Sequence, residues 1–70
     1  MRGTVVDFDD QVGLGTVECD GVERYRFHCV EIADGTRHIE IGAQVDFDRA
    51  AGQLGVWEAV RVRPVRAAPG

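Results

Sequence analysis

The sequence predicts one small all-β domain within its 70 residues. Apolar and polar side chains alternate with a period of two along most of the chain, as they do in strands that bury one face. No long segment shows the apolar stripe of a helix. The pair Asp20-Gly21 adds a strong hairpin signal, because both central residues of a type I′ turn need a positive φ.

Five segments have the alternation and composition of strands. They are residues 2–9, 13–19, 22–29, 43–50 and 56–65. The second and third are predicted to pair through the Asp20-Gly21 turn, which places Cys19 opposite Val22. Further along the same ladder, Cys29 is predicted to face residue 12. The positions expected to point inward are Val5, Val17, Tyr25, Phe27, Val45 and Phe47.

The connections predict a barrel. A helical or 3₁₀ turn fits residues 30–33, and a long connection then passes through Asp34 and Gly35. Three strands in a meander and two after a longer crossing suit a small closed or partly open barrel of OB type over residues 1–65. A two-sheet sandwich is the alternative, but seven strands do not fit. Residues 66–70 are expected to form a flexible tail.

The charge of the chain opposes a general attraction to nucleic acid. Twelve acidic residues outnumber eight basic ones, which gives a net charge of −4. Binding to phosphate would therefore need a local basic patch. All eight basic residues are arginine, whose planar guanidinium can stack on a base as well as contact a phosphate.

The cysteines Cys19 and Cys29 are predicted to be free thiols. In the predicted register they lie several residue pairs apart, beyond the separation that a disulfide allows. Free thiols are typical of a reducing compartment, so we expect a cytoplasmic protein. The apolar stretches are too short to span a bilayer and the start of the chain does not resemble a signal peptide, so no membrane partner is expected.

Four motifs together resemble those of a cold-shock domain. The run "GTVVDFDDQVGLGTVECDG" is similar to the opening of that family, in which an aromatic first strand leads into a glycine-rich ribonucleoprotein motif and an acidic turn. "YRFHC" looks like the second motif, "IEIGAQVDF" like the family's Leu-x-x-Gly-x-x-Val-x-Phe, and "AVRVRPV" like its last strand. The resemblance covers residues 2–65. It implies a small five-stranded OB-fold barrel of cold-shock-domain type that binds single-stranded RNA or DNA by stacking bases on outward aromatic side chains.

Most stacking positions of the family are replaced in the first two strands. The first-strand tryptophan falls on Asp7, whereas the neighbouring phenylalanine is kept as Phe8. The lysine of the ribonucleoprotein motif becomes Val12. Its two phenylalanines become Leu14 and Thr16.

The third strand keeps one stacking position of the family and carries two arginines. The outward phenylalanine of the second motif becomes Arg26, its histidine is kept as His28, and its last phenylalanine becomes Cys29. Arg24 lies beside Arg26 on the same predicted face. Only Phe8 and His28 remain as stacking side chains.

These replacements predict weak binding. Losing about four stacking partners at ~1–3 kcal/mol each lowers the affinity by several orders of magnitude. The aspartates within residues 7–10 add repulsion against phosphate. Arg24 and Arg26 act in the opposite direction. The alternative role of these arginines is to form solvated cross-strand pairs with Glu18, Glu23 or the aspartates.

Neither a metal site nor a catalytic group is predicted. His28 and Cys29 are adjacent in a strand, so they point to opposite faces and could not easily share a metal. The sequence has no Cys-x-x-Cys or His-x-x-x-His spacing. It also has no serine and no lysine, so we expect no enzyme activity, no cofactor and no small-molecule substrate. The glycines of "GLG" open a strand and not a helix, so they are not expected to hold a phosphate.

Two functions stay open. The first is weak, non-catalytic binding of single-stranded RNA or DNA, as a chaperone or a transcription accessory. The residues predicted to bind are Phe8, Leu14, Thr16, Arg24, Arg26 and His28. The second is an OB-fold module for contact with another protein or with a second copy of itself, and a contiguous apolar patch of Leu14 and Phe8 would favour it. Trp57 is expected to cap one end of the barrel or, if exposed, to anchor a protein partner.

Overall fold

The structure is a computed structural model that describes residues 1–33, 35, 38–52 and 55–65. Five strands account for most of it, and they are β1 (Arg2–Asp9), β2 (Leu14–Cys19), β3 (Glu23–His28), β4 (Gln44–Ala51) and β5 (Trp57–Pro64). Each agrees with a predicted strand to within one residue at either end. A 3₁₀ turn at Cys29–Glu31 follows β3. The predicted turn residue Asp34 and the predicted tail at residues 66–70 lie outside the described residues.

The strands form a closed barrel in the order β1-β2-β3-β5-β4. All neighbours pair antiparallel except β3 and β5, which are parallel and joined through one residue pair, Arg26 with Glu58. An isolated bridge between Ile32 and Val62 extends this parallel seam beyond β3. The all-β barrel of OB type that the sequence predicts is therefore confirmed. None of the described residues forms a helix with the length and apolar character needed to cross a membrane.

The barrel interior is apolar. All six positions that were predicted to point inward are buried. Phe47 is fully buried and packs against Tyr25 with ring centroids 5.5 Å apart. The hydroxyl of Tyr25 reaches the rim of the barrel and donates a hydrogen bond to the Glu23 carboxylate, so its burial leaves no polar atom unpaired. Burying each side chain of this size contributes about 1.5–3 kcal/mol, so the interior holds the fold together.

A bulge in β1 decides which residues of that strand face outward. Val5 pairs with Val17, but the next described pair is Asp7 with Thr16, so Val6 is an extra residue. Strict alternation from the buried Val5 would place Asp7 in the interior, where an unpaired carboxylate is very costly. The extra residue reverses the alternation, so that Asp7 and Asp9 lie on the outer face.

The register of the first hairpin differs from the predicted one. Asp20 and Gly21 have the expected positive φ angles of 57° and 71°. However, the ladder pairs Cys19 with Glu23 and not with Val22, so the connection contains one more residue than predicted. The physical reason is that a shift by one residue would turn the inward side chains of β3 to the outer face. The hydrophobic pattern thus overrides the simplest turn.

The same shift corrects the position of Cys29. Its amide donates to the carbonyl of Gly13 at 2.8 Å, so Cys29 lies beside Gly13 and not opposite Val12. Cys19 and Cys29 are both free thiols, and they lie at opposite ends of the β2–β3 ladder. Burial raises the pKa of the Cys19 thiol, which makes it a packing residue and not a reactive one.

Candidate nucleic-acid interface

The outward side chains of β1, β2 and β3 form three rows across the barrel. The rows consist of Thr4, Glu18 and Arg24; of Asp7, Thr16 and Arg26; and of Asp9, Leu14 and His28. Five of the six residues predicted to bind nucleic acid therefore share one face, which we call the β1–β3 face. The exception is Phe8.

Phe8 lies in the row of Gly15 and Phe27, because it follows the bulge by two residues. It is half-buried, and its ring is stacked on that of Phe27 with centroids 6.0 Å apart and planes inclined by 13°. The His38 ring lies nearly perpendicular to it, at 5.8 Å between centroids. Much of the Phe8 ring is therefore already in contact with the protein, and its part in binding stays a prediction.

Gly15 explains why the phenylalanines can pack in this way. A Cβ atom at this position would lie 2.5 Å from the ring of Phe27 and 2.9 Å from the carbonyl oxygen of Asp7. Only glycine leaves room for that approach. The "GLG" glycine at residue 15 thus serves the packing of the strands.

Arg24 has a partner on the same face. Its Nε donates to Oε2 of Glu18 at 3.0 Å, directly across the β2–β3 ladder. The cross-strand role that the sequence left open for this arginine is therefore the one observed. Such a pair neutralises part of the positive charge that Arg24 offers to a phosphate.

Arg26 differs from Arg24 although the two are only two residues apart. Its cross-strand neighbours are Thr16 on β2 and Glu58 on β5. Within the described part of the chain it forms no ion pair, and its side chain is exposed. A guanidinium in this state can contact a phosphate and stack on a base. His28 is exposed in the next row and offers a second ring.

The three aspartates near the face have different surroundings. Asp9 Oδ1 accepts hydrogen bonds from the amides of Gln11 and Val12 at 2.9 and 3.2 Å, so its carboxylate is turned into the β1–β2 connection. Asp10 contacts His38. Asp7 makes no hydrogen bond or ion pair with any other described residue through its side chain. Asp7 is therefore the carboxylate of this face that has no hydrogen-bond or ion-pair partner among the described residues.

His38 connects two loops in a way that the sequence did not indicate. Its Nδ1 lies 2.7 Å from Oδ1 of Asp10, and its Nε2 lies 3.3 Å from Oε1 of Glu40. Hydrogen bonds with these two carboxylates raise the pKa of His38 above its usual value, and the bond with Asp10 has the larger effect. The contact with Asp10 spans 28 residues of sequence, so no local pattern could have revealed it.

Trp57 is exposed and does not cap the barrel. It begins β5, with 47% of its surface accessible. The guanidinium of Arg49 lies over its ring, 4.8 Å from the centroid. The described residues contain no group of three or more histidine, cysteine or acidic side chains that could hold a metal ion.

Comparison with known proteins finds a cold-shock structure. The solved structure named "drosophila Unr CSD456" matches this chain with a TM-score of 0.76 and 26% sequence identity. The match covers 96% of this chain and 27% of the Unr chain, so this chain spans about a quarter of the length of that neighbour. No protein-family model matches the chain. No curated protein matches it either.

The match and the geometry agree with the motifs of the sequence. Five strands close the barrel in the order β1-β2-β3-β5-β4, and the two ribonucleoprotein-like motifs lie on β2 and β3. The cold-shock domain is in general a non-enzymatic fold that binds nucleic acid. This chain therefore has the fold of a cold-shock domain, a closed five-stranded OB barrel, and its motifs resemble those of that family.

Proposed function

We propose that this protein binds single-stranded RNA or DNA weakly and without catalysis, through the β1–β3 face, as a chaperone or an accessory of transcription. The observation that carries the proposal is Arg26. It is a cation on the outer face of β3, without an ion-pair partner among the described residues, in a fold that generally binds nucleic acid. His28 in the neighbouring row supplies an exposed ring for stacking.

Three properties support weak affinity. Stacking contributes ~1–3 kcal/mol per base, and His28 is the one ring among the predicted binding residues that lies on the β1–β3 face. Asp7 places a negative charge in the same row as Arg26. The net charge of −4 repels a polyanion from a distance. Added salt therefore screens this repulsion as well as the attraction between the arginines and the phosphates.

The alternative is an OB-fold module that binds a protein or a second copy of itself. The exposed Trp57 favours it. A contiguous apolar patch of Leu14 and Phe8 would also favour it, but this patch is not found, because both residues are half-buried and lie on different rows. For either function we propose a cytoplasmic location, which the free thiols Cys19 and Cys29 support.

The test is a titration of a short, labelled pyrimidine oligonucleotide followed by fluorescence anisotropy at ~50 mM and ~200 mM salt. We expect saturable binding in the micromolar range that weakens at the higher salt, because Arg26 and its neighbours contact phosphates. Flat traces up to high micromolar protein at both salts would rule out nucleic-acid binding. A mass that rises with protein concentration in the same samples would then favour the interaction module.

A further inference from the structure

A groove runs along the parallel seam between β3 and β5. One residue pair joins these two strands, Arg26 with Glu58, and the next bridge along the seam is that of Ile32 with Val62. A cavity of about 390 Å³ on one side is lined by residues that include Arg24, Arg49 and Trp57. A second cavity, of about 420 Å³, includes Arg26 and His28. Val56 lines both cavities, and we call the two cavities together the seam groove.

Trp57 is held in the seam groove with much of its ring open. Arg49 covers the ring from one side, with its guanidinium carbon 4.8 Å from the centroid. Nevertheless, 47% of the residue is accessible, so part of it stays open to a ligand. A cation over one face fixes the orientation of the ring and leaves a flat surface for another aromatic group.

The seam groove combines guanidiniums, which can contact phosphates, with an exposed aromatic ring. Three arginines line it, at positions 24, 26 and 49, together with His28. Two carboxylates oppose them, those of Glu23 and Glu58, and Glu23 accepts a hydrogen bond from the Tyr25 hydroxyl. Arg24 is paired with Glu18, so Arg26 and Arg49 are the guanidiniums of this groove that have no ion-pair partner among the described residues, and the groove ends at an exposed indole.

The seam groove continues the β1–β3 face. Arg26 and His28 belong to the rows of that face and also line the groove. A single strand that lies across β1, β2 and β3 therefore reaches the groove by passing over β3. Trp57 directly precedes Glu58, which is the cross-strand neighbour of Arg26. A nucleic-acid strand that passes Arg26 therefore comes close to Trp57.

We propose that Trp57 is a further base-stacking site, at which a single strand bound on the β1–β3 face places one more base on the indole ring. Arg49 holds the ring from behind, and Arg24 lies beside the path of the phosphates. The inference rests on the proposed function and extends it to β5. It gives the domain a stacking residue in place of those missing from β1 and β2.

The test uses the fact that the chain contains one tryptophan. Its intrinsic fluorescence therefore reports on Trp57 alone. We expect an unlabelled oligothymidylate of about 10 nucleotides to quench this emission with the same midpoint as the anisotropy titration. An oligonucleotide of about 3 nucleotides, which is shorter than the ~4–16 that an OB fold occupies, should quench much less.

Two variants separate stacking from general damage. Trp57→Leu is expected to weaken binding of the long oligonucleotide about 10-fold and binding of the short one very little. Trp57→Phe keeps a flat ring and should retain most of the affinity. Because Trp57 is exposed, both variants are expected to keep the thermal midpoint of the parent, which circular dichroism checks.

The outcomes distinguish this inference from the proposed function. Anisotropy binding without quenching, together with unchanged affinity of Trp57→Leu, would overturn the Trp57 site and leave the β1–β3 face as the binding surface. Neither quenching nor an anisotropy change would overturn both. A shift of the Trp57 emission with protein concentration alone, lost at high dilution, would assign the indole to a second copy of the chain and overturn the stacking site.

Discussion

Two outer surfaces of this barrel, one that includes β3 and one that includes β5, carry arginines at alternate positions, and they differ in whether these arginines form ion pairs. On β5, Arg61 and Arg63 both approach Asp48, with their nitrogens 2.7 and 3.9 Å from its Oδ2. On β3, Arg24 pairs with a glutamate, but Arg26 has no ion-pair partner among the described residues. The sequence patterns "RVR" and "RYR" are nearly the same, yet of these four arginines only Arg26 lacks an ion-pair partner among the described residues.

The cause of this difference is what lies opposite each strand. On the surface formed by β4 and β5, which we call the β4–β5 surface, Asp48 lies on the strand next to the arginines and contacts both of them. On the β1–β3 face, Thr16 stands between Asp7 and Arg26, since the three residues share one row, and Glu58 across the β3–β5 seam forms no ion pair with Arg26. The row thus separates an anion and a cation that would otherwise pair. Within this row, the register keeps the two opposite charges apart.

The largest expected effect comes from reversing one charge on each surface. Arg26→Glu is expected to weaken oligonucleotide binding about 10- to 100-fold at low salt, because it removes a phosphate or base contact and adds repulsion. Arg63→Glu makes the same change in net charge on the β4–β5 surface, where Arg63 already faces Asp48. We expect it to weaken binding no more than about 3-fold. Anisotropy with both variants measures the difference.

Equal losses in the two charge-reversal variants would contradict the comparison. Such a result would mean that binding depends on the overall charge of the protein and not on the β1–β3 face. The slope of affinity against salt gives a second measure. It should fall by about one in Arg26→Ala and stay the same in Arg63→Ala.

A smaller effect of opposite sign is expected from Asp7. The variant Asp7→Asn removes the carboxylate that shares a row with Arg26, so binding should become about 2- to 5-fold tighter. Asp46→Asn is the matched control, because it removes the same charge from the other surface. Asp46 accepts a hydrogen bond from Arg2 there, at 3.1 Å. Equal tightening by both variants would show that only net charge matters.

The fold was predictable because the barrel interior demands a simple pattern. Val45 and Phe47 are separated by one outward residue, and the same alternation places Tyr25 and Phe27 inside. The strand limits followed from this pattern almost to the residue. The hairpin register did not, because the turn residues favour one connection and the matching of buried faces requires another, with Glu23 opposite Cys19.

The candidate site was predictable only in part. The outward positions of β2 and β3 follow from alternation, so Thr16, Arg26 and His28 were placed on one face correctly. Phe8 was not, because the extra residue Val6 in β1 has no signature in the sequence. The exposure of Trp57 could not be read either, since it depends on how β5 meets β3 in the closed barrel.

The smallest effect tests whether the ion pairs of the β4–β5 surface exist in solution. The hydrogen bond from Arg61 holds the pKa of Asp48 below its usual value, and that from Arg2 does the same for Asp46. A carboxylate whose pKa is lower in the folded state stabilises the fold above its unfolded pKa, which is 3.8 here. That contribution is lost as the pH falls through the lower, folded value.

An NMR titration of the aspartate carboxyl carbons measures these midpoints directly. We expect those of Asp46 and Asp48 to lie below 3.8, and Arg61→Gln to raise the midpoint of Asp48 while that of Asp46 changes little. The effect on stability is small because both pairs are exposed to solvent. The midpoint of Asp48 nevertheless tests whether the two surfaces differ in the pairing of their arginines. A midpoint of Asp48 at or above 3.8 would show that Arg61 is as free as Arg26, and the β4–β5 surface would then be an equal candidate for the nucleic acid.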